Sequence, residues 1–167
     1  MIQANWYLLF ITALFPLILG YIWYHPKVLG SRLVEQRGLS VEQIGPLKNM
    51  GRIALIYLFG LLLSYMVTVL SIHQSGLFQL FLKDPQMADP NFEGRILLEN
   101  FMEKYSNRHR TIGHGILHGM EAGFLFSLVL IGGTSLMEGK SMRNKWIHIW
   151  FWIVCSGLIG VLLCAYF

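Results

Sequence analysis

The sequence predicts an all-α, polytopic membrane protein, a single domain over residues 1–167 built as a four-transmembrane-helix bundle. Charged residues make up only 13% of the chain, against about 25% in soluble domains, so a soluble fold would lack polar surface. Four mainly apolar runs each reach the roughly 20 residues that a membrane-spanning helix needs, and none alternates as a transmembrane β-strand would. The predicted spans are residues 4–24, 53–72, 112–137 and 146–167.

The first run is predicted to be a retained transmembrane helix with a kink. Trp6, Trp23 and Tyr24 lie near its ends, where amphipathic aromatic rings suit the headgroup zone. Pro16 removes one internal hydrogen bond and should kink the helix, and Pro26 should end it. No basic segment precedes the run, so we interpret it as a span rather than a signal peptide.

The connection between the second and third runs is predicted to carry an amphipathic helix. Apolar and aromatic residues fall near one helical face, which is typical of a helix lying on the outer membrane–water interface. They are Phe92, Ile96, Leu97, Phe101 and Tyr105. A small soluble cap packed on the helix ends fits the same pattern. In the preceding connection, the S-x-x-Q spacing of residues 40–43 predicts a short capped helix.

The distribution of basic residues predicts the topology. The connections after runs one and three together carry eight Lys and Arg, whereas the connection after run two carries five. Cytoplasmic loops are the richer in Lys and Arg, so both termini and the long middle connection are predicted on the outer face. The net charge of +4 is then explained by topology and anionic headgroups, and no nucleic-acid partner is expected.

Small residues recur at four-residue spacing on runs two, three and four. This spacing lets two helix backbones approach closely in lipid. We interpret these positions as packing within the bundle, with a homo-oligomer or another membrane protein as the alternative partner. The predicted packing residues are Gly60, Ser64, Gly115, Gly119, Gly123, Ser156 and Gly160.

A histidine-rich stripe at the start of the third run is the strongest candidate for chemistry. His114, His118 and Glu121 are spaced i, i+4 and i+7, so they share one helical face. Glu121 lies within the span, where an ionisable group is costly and usually faces the bundle interior or a water-filled cavity. His73 closes the second run on the same side. The four residues are therefore expected to converge near the outer ends of helices two and three.

Three interpretations of this cluster fit the pattern. The structural one, which we weigh highest, has the histidines capping loop carbonyls while Glu121 pairs with a histidine or stays protonated. The second is a divalent metal site, since imidazoles and a carboxylate suit zinc. The third is a proton or substrate path. The H-E-x-x-H protease motif is absent, because no Glu follows His114, and no nucleophile motif or phosphate-binding loop identifies catalytic residues.

Several short segments spread over nearly the whole chain carry a further signal. They are residues 20–30, 72–74, 110–119 and 136–141. In this order they resemble a bacterial inner-membrane protein family known as domain of unknown function 1761. The resemblance implies a small four-helix protein of the bacterial inner membrane with no assigned activity. It also implies signature positions, none of which matches Glu121, at Trp23, Tyr24, Pro26, Gly30, His73, His114 and His118.

The sequence as a whole favours a non-enzymatic accessory or scaffold subunit of a membrane complex. Short connections leave little room for a soluble active site, and small-residue faces suit helix contacts. One alternative is a metal-binding or proton-coupled transport protein that uses the His/Glu cluster. Another is a metal-dependent membrane enzyme that acts on lipid.

Overall fold

The computed structural model describes residues 5–33, 49–81 and 83–167, and none of these residues lies in a β-strand. Residue 4, where the first run was predicted to begin, and the predicted short helix at 40–43 lie outside the described residues. In chain order the described helices are α1 (Tyr7–Thr12), α2 (Phe15–Trp23), α3 (Met50–Ser71), α4 (Gln74–Phe81), α5 (Glu93–Tyr105), α6 (Ile112–Met137) and α7 (Trp146–Tyr166).

Three of the described helices, α3, α6 and α7, are long and apolar enough to cross a membrane. The first part of the chain passes the same test as a broken span, in which Tyr7–Trp23 and Pro26–Leu33 meet at a bend of 53°. The described residues therefore provide three spans, or four when the bent pair counts as one. The predicted all-α, multi-pass membrane bundle is confirmed.

The first apolar run is broken near its middle. α1 ends at Thr12 and α2 begins at Phe15, with Pro16 in its first turn. Proline has no N–H, and its ring clashes with the carbonyl four residues earlier, which here belongs to Thr12. A continuous helix through this point is therefore disfavoured, and the expected kink takes the form of a short break between two helices.

α7 forms the centre of the bundle: 56% of its apolar stretch of 18 residues is buried, against 22% for the corresponding stretch of α3 and 33% for that of α6. α6 lies directly against it through small residues. A Cβ built at Gly119 would overlap the carbonyl oxygen of Ser156, and Gly115 and Gly160 each face the other's carbonyl. The two backbones are thus in contact, as small residues at this spacing allow.

The other predicted packing residues also lie in contacts within the chain. Gly123 lies against the backbone of α7, and Gly60 faces the carbonyl of Ala13. Beside them, the hydroxyl of Thr12 donates a hydrogen bond to Ser64 Oγ at 2.9 Å. α3 is therefore attached to the broken first helix, while α6 is attached to α7.

The residues that the family resemblance singled out dock the end of α2 onto the start of α7. The indole N–H of Trp23 donates to a backbone carbonyl of α7 at 3.1 Å, and the hydroxyl of Tyr24 lies 2.9 Å from Nδ1 of His148. Pro26 begins a π-helical turn that ends at Gly30. A Cβ at Gly30 would overlap the carbonyl oxygen of Tyr24, so this turn leaves no space for a larger residue.

The connection before α6 is held in place over the helix ends. The buried side chain of Gln74 donates to the carbonyls of Tyr105 and Arg108, each at 2.9 Å. Arg110 donates to the carbonyl of Cys164 near the end of α7, at 3.3 Å. These bonds supply donors to backbone carbonyls at the helix ends and fix the direction in which α6 starts.

α5 occupies the segment predicted to be amphipathic. Leu98 and Met102 are buried in the protein, whereas Ile96, Leu97 and Phe101 are exposed. A helix with a buried face and a second, outward apolar face fits a position at the membrane–water interface, where lipid covers the outer side.

The beginning of α1 meets the end of α7. The backbone N–H of Asn5 donates to the carbonyl of Phe167 at 3.2 Å, and its side-chain amide donates to the carbonyl of Tyr166 at 2.7 Å. The rings of Trp6 and Phe167 pack edge to face with their centroids 5.2 Å apart. Both ends of the first span, at Trp6 and at Tyr24, are therefore attached to α7.

Candidate metal centre

His73 lies in the tight turn that separates α3 from α4. The turn is closed by the backbone N–H of Gly76, which donates to the carbonyl of His73 at 3.1 Å. The next residue, Gln74, is anchored to the connection before α6, as described above. Because both neighbouring elements are fixed, the backbone of His73 is held beside the start of α6.

His114 and His118 lie on the first two turns of α6. Thr111 caps this helix, since its hydroxyl accepts a hydrogen bond from the N–H of His114 at 3.2 Å. One helical turn separates the two histidines, and their ring centroids are 4.4 Å apart. The cap and the helical repeat therefore set their relative position.

The three histidines converge as the sequence predicts. One ring nitrogen from each of His73, His114 and His118 can be chosen so that all three lie within 4.8 Å of one another. Nε2 of His114 and Nε2 of His73 are 3.2 Å apart. Two nitrogens bound to one tetrahedral zinc at about 2.0–2.1 Å lie roughly 3.3 Å apart, so this pair already has a zinc-like spacing. Because no pair in the group is more than 4.8 Å apart, bringing the third nitrogen to this spacing needs a shift of at most about 1.5 Å, within the range of side-chain rotation.

Glu121 does not belong to this group of ligand atoms. Its carboxylate Oε2 lies 3.0 Å from Nδ1 of His118, one turn further along α6. When the carboxylate is ionised, Nδ1 of His118 carries the proton and Nε2 keeps the lone pair that a metal needs. The sequence placed Glu121 among the ligands, whereas the geometry gives it the position of a residue that orients one.

His109 also belongs to the cluster, although the sequence did not predict it there. Its ring stacks on that of His114, with centroids 5.4 Å apart and an interplanar angle of 25°. Its φ of 64° lies in the left-handed region, which is uncommon outside glycine. His109 is the third residue of a turn that is closed by the N–H of Arg110, which donates to the carbonyl of Asn107 at 3.2 Å, and this is the position at which a type II turn needs a positive φ. The sequence signal was only a basic triplet, residues 108–110, which is also typical of solvated surface.

Electrostatics keep His73 available as a ligand. Burial lowers the pKa of His73 below its ordinary value, and the neighbouring His118 and His109 lower this pKa further. Near neutral pH, His73 is therefore an uncharged imidazole with a free lone pair, which is the form that binds a metal.

A cleft of about 870 Å³ opens beside the cluster, between the end of α3, α4 and α6. His73, His118 and Glu121 line one end of it, while Leu125 and Val129 belong to its apolar remainder. This volume lies within the roughly 300–1,000 Å³ typical of ligand sites. A metal held by the three histidines would therefore have a ligand-sized space next to it.

Comparison with known protein families gives a single result. The family model described as Protein of unknown function (DUF1761) matches residues 8–164, which is nearly the whole chain. The chain belongs to this family. No curated protein and no solved structure matches it.

Membership of DUF1761 places the histidine cluster and the Trp23–Gly30 turn inside the matched residues. The two regions differ in chemistry. The turn uses its side chains to attach α2 to α7, whereas the histidines have ring nitrogens that face each other and an adjoining cleft. In this DUF1761 protein the second region is therefore the candidate for function.

Proposed function

We propose that this DUF1761 protein binds a divalent transition-metal ion, zinc by its ligand chemistry, through His73, His114 and His118. The observation that carries the proposal is the convergence of three ring nitrogens within 4.8 Å, from residues far apart in sequence. Imidazole is a common ligand for zinc, copper, iron and nickel, and an all-nitrogen set of this size matches zinc well.

Among the residues that the structure describes, the group offers three ligands, which supports a working rather than a purely structural metal. Structural zinc sites are closed by four protein ligands, whereas sites with three protein ligands keep a position open for water or substrate. The open position of this site would face the cleft, because His73 and His118 both line it. The Glu121–His118 contact supplies the outer carboxylate that such sites commonly have.

The accessory or scaffold role stays a prediction and is our second candidate. The small-residue faces that suggested helix contacts with a partner are occupied inside the chain, by the α6–α7 and α1–α3 contacts. What still supports a partner or a homo-oligomer is the outward apolar face of α5, formed by Ile96, Leu97 and Phe101. The same face is equally suited to lipid.

For location we propose the bacterial inner membrane, with both termini and the histidine cluster on the outer side. The excess of Lys and Arg in the connections after the first and third spans supports this orientation. The family resemblance supports the choice of membrane.

The direct test is metal analysis of untagged protein purified in mild detergent. We expect about one ion per chain in the wild type, and its loss in His114→Ala and in His118→Ala, because each removes one of three ligands. His25→Ala is the matched control: it removes a histidine at the other end of the bundle, whose ring accepts a hydrogen bond from the N–H of Lys27 and packs against the ring of Tyr21. A wild type that holds no metal and takes up none after zinc is added back would refute the proposal.

A second experiment tests the proposed role of Glu121 in orienting His118. Glu121→Gln keeps the size of the side chain but removes the charge that orients His118. Loss of such an outer carboxylate typically weakens metal binding about 10–100-fold without abolishing it. Glu99→Gln on α5 is the control, since Glu99 pairs with Arg95 rather than with a histidine. Equal zinc affinity in the two variants would remove Glu121 from the site.

A further inference from the structure

The wall that α6 contributes to the cleft is polar at one end and apolar along the rest of its length. Its residues follow one helical stripe that begins with His118 and Glu121 and continues with Leu125, Val129 and Leu130. The polar groups of this wall are confined to the end at the histidine cluster. Glu121 is the last ionisable residue on α6, so nothing on this stripe continues a polar path across the membrane.

The length of the stripe matches one leaflet of a bilayer. His118 and Leu130 are twelve residues apart, roughly 18 Å along a helix. The hydrocarbon core is about 30 Å thick, so a single leaflet is about 15 Å. Hydrocarbon chains of leaflet length, on a molecule with its polar part at the histidines, would therefore follow the stripe from His118 as far as Leu130.

The cleft is open on its side. Leu125 is 51% exposed and Val129 is 66% exposed, although both line it. On a membrane-spanning helix such surface is covered by lipid, because no water reaches it. A second apolar groove, of about 270 Å³, adjoins the first and shares Ala122, Phe126 and Leu130 with it. The hydrocarbon space beside the cluster thus has two branches that meet along α6.

We propose that the occupant of this cleft is a membrane phospholipid that enters sideways from the bilayer, with its two hydrocarbon chains along α6 and a phosphate oxygen in the open position of the metal. This inference rests on the metal proposal above. A divalent ion held by three neutral histidines keeps a double positive charge, which the single carboxylate of Glu121 does not cancel. An anionic headgroup complements that charge, and an apolar wall of leaflet depth complements its chains.

The test uses zinc-loaded, full-length protein in mild detergent, with phosphatidylglycerol as the probe and native mass spectrometry as the readout. Val129→Trp places a large side chain in the cleft wall and leaves every histidine untouched. Leu136→Trp is the matched control, since Leu136 is 65% exposed on the same helix, against 66% for Val129, and does not line the cleft. We expect Val129→Trp to weaken phosphatidylglycerol binding at least tenfold with unchanged zinc content, and Leu136→Trp to leave both unchanged.

Two further arms identify the contact. Removal of zinc with a chelator should weaken phosphatidylglycerol binding by a similar factor, and inorganic phosphate should compete only weakly because it lacks the chains. Equal lipid binding in Val129→Trp and Leu136→Trp, or equal binding with and without zinc, would overturn the lipid proposal while leaving the metal proposal intact. Tight binding of inorganic phosphate in place of lipid would overturn it as well. A wild type without zinc would instead refute the metal proposal itself.

Discussion

Replacement of Gly119 by alanine tests the α6–α7 contact on which the position of the cluster depends. A Cβ at this position would overlap the carbonyl oxygen of Ser156 and would lie 2.9 Å from its carbonyl carbon and 3.0 Å from Cα of Gly157. All three are backbone atoms of α7, so no rotation of a side chain relieves the overlap. The helices must separate instead.

The magnitude follows from comparison with a glycine that has space. Insertion of a methyl group into a packed contact costs about 1–3 kcal/mol. At Gly133, on the same helix, an added Cβ would meet nothing within 4 Å, and the backbone is helical with φ −57° and ψ −51°. Gly133→Ala should therefore gain the usual 0.5–1 kcal/mol or so of a helical Gly→Ala change. Gly119→Ala carries the same helical gain, which cancels in the comparison, so the two variants should differ by about 1–3 kcal/mol, the cost of the overlap alone.

The assay is thermal unfolding in mild detergent, followed by circular dichroism. For a chain of this size, each kcal/mol corresponds to about 2–4 °C in Tm, so the expected difference between Gly119→Ala and Gly133→Ala is several degrees. Equal melting temperatures would contradict direct backbone contact between α6 and α7. The positions of His114 and His118 relative to α7 would then have to be revised too.

Three other perturbations have defined outcomes. Tyr24→Phe removes the hydroxyl that pairs with His148 and should destabilise the bundle by about 0.5–1.5 kcal/mol in the same unfolding assay. Gln74→Leu removes the side-chain donor to the carbonyls of Tyr105 and Arg108, of which only that of Tyr105 keeps a backbone donor among the described residues, so amide exchange after α5 should speed up while α7 stays protected. The hydrogen bond from Lys140 lowers the pKa of the Glu138 carboxyl. The pair therefore stabilises the fold above the ordinary glutamate pKa, and this stabilisation is lost as the pH falls. Lys140→Gln should raise the pKa of Glu138 toward its usual value, as measured by carbon NMR. An unchanged pKa would contradict the pairing.

Composition and spacing were sufficient to predict the helices and much of their packing. Long apolar runs can only be helical in lipid, so the spans follow from their length. Glycines four residues apart, such as Gly115 and Gly119, indicate a close contact wherever a second helix is available. The spacing does not identify the helix that each glycine contacts. Only the structure shows that α7 faces Gly119 while the first helix faces Gly60.

In the candidate site too, spacing predicts some of the contacts and misses others. His114 and His118 are one turn apart on a helix, so their proximity follows from the helical repeat. His73 could be added because the second span ends there. His109 could not, because its ring reaches the cluster through a turn with positive φ that the basic triplet does not encode. The part of Glu121 depends on which ring nitrogen of His118 it contacts, a side-chain torsion that spacing does not fix.

The attachment of the first helix to the last has a consequence for biogenesis. α1 and α2 precede α3 and α6 in the chain, yet Trp23 and Tyr24 contact α7, which comes after them, so these contacts form only once α7 has been made. Until then the contact with α3, through Thr12 and Ser64, is what retains the early helices. Insertion of α7 is therefore the step that fixes both ends of the first span, and truncation within α7 should expose the chain to quality-control proteolysis.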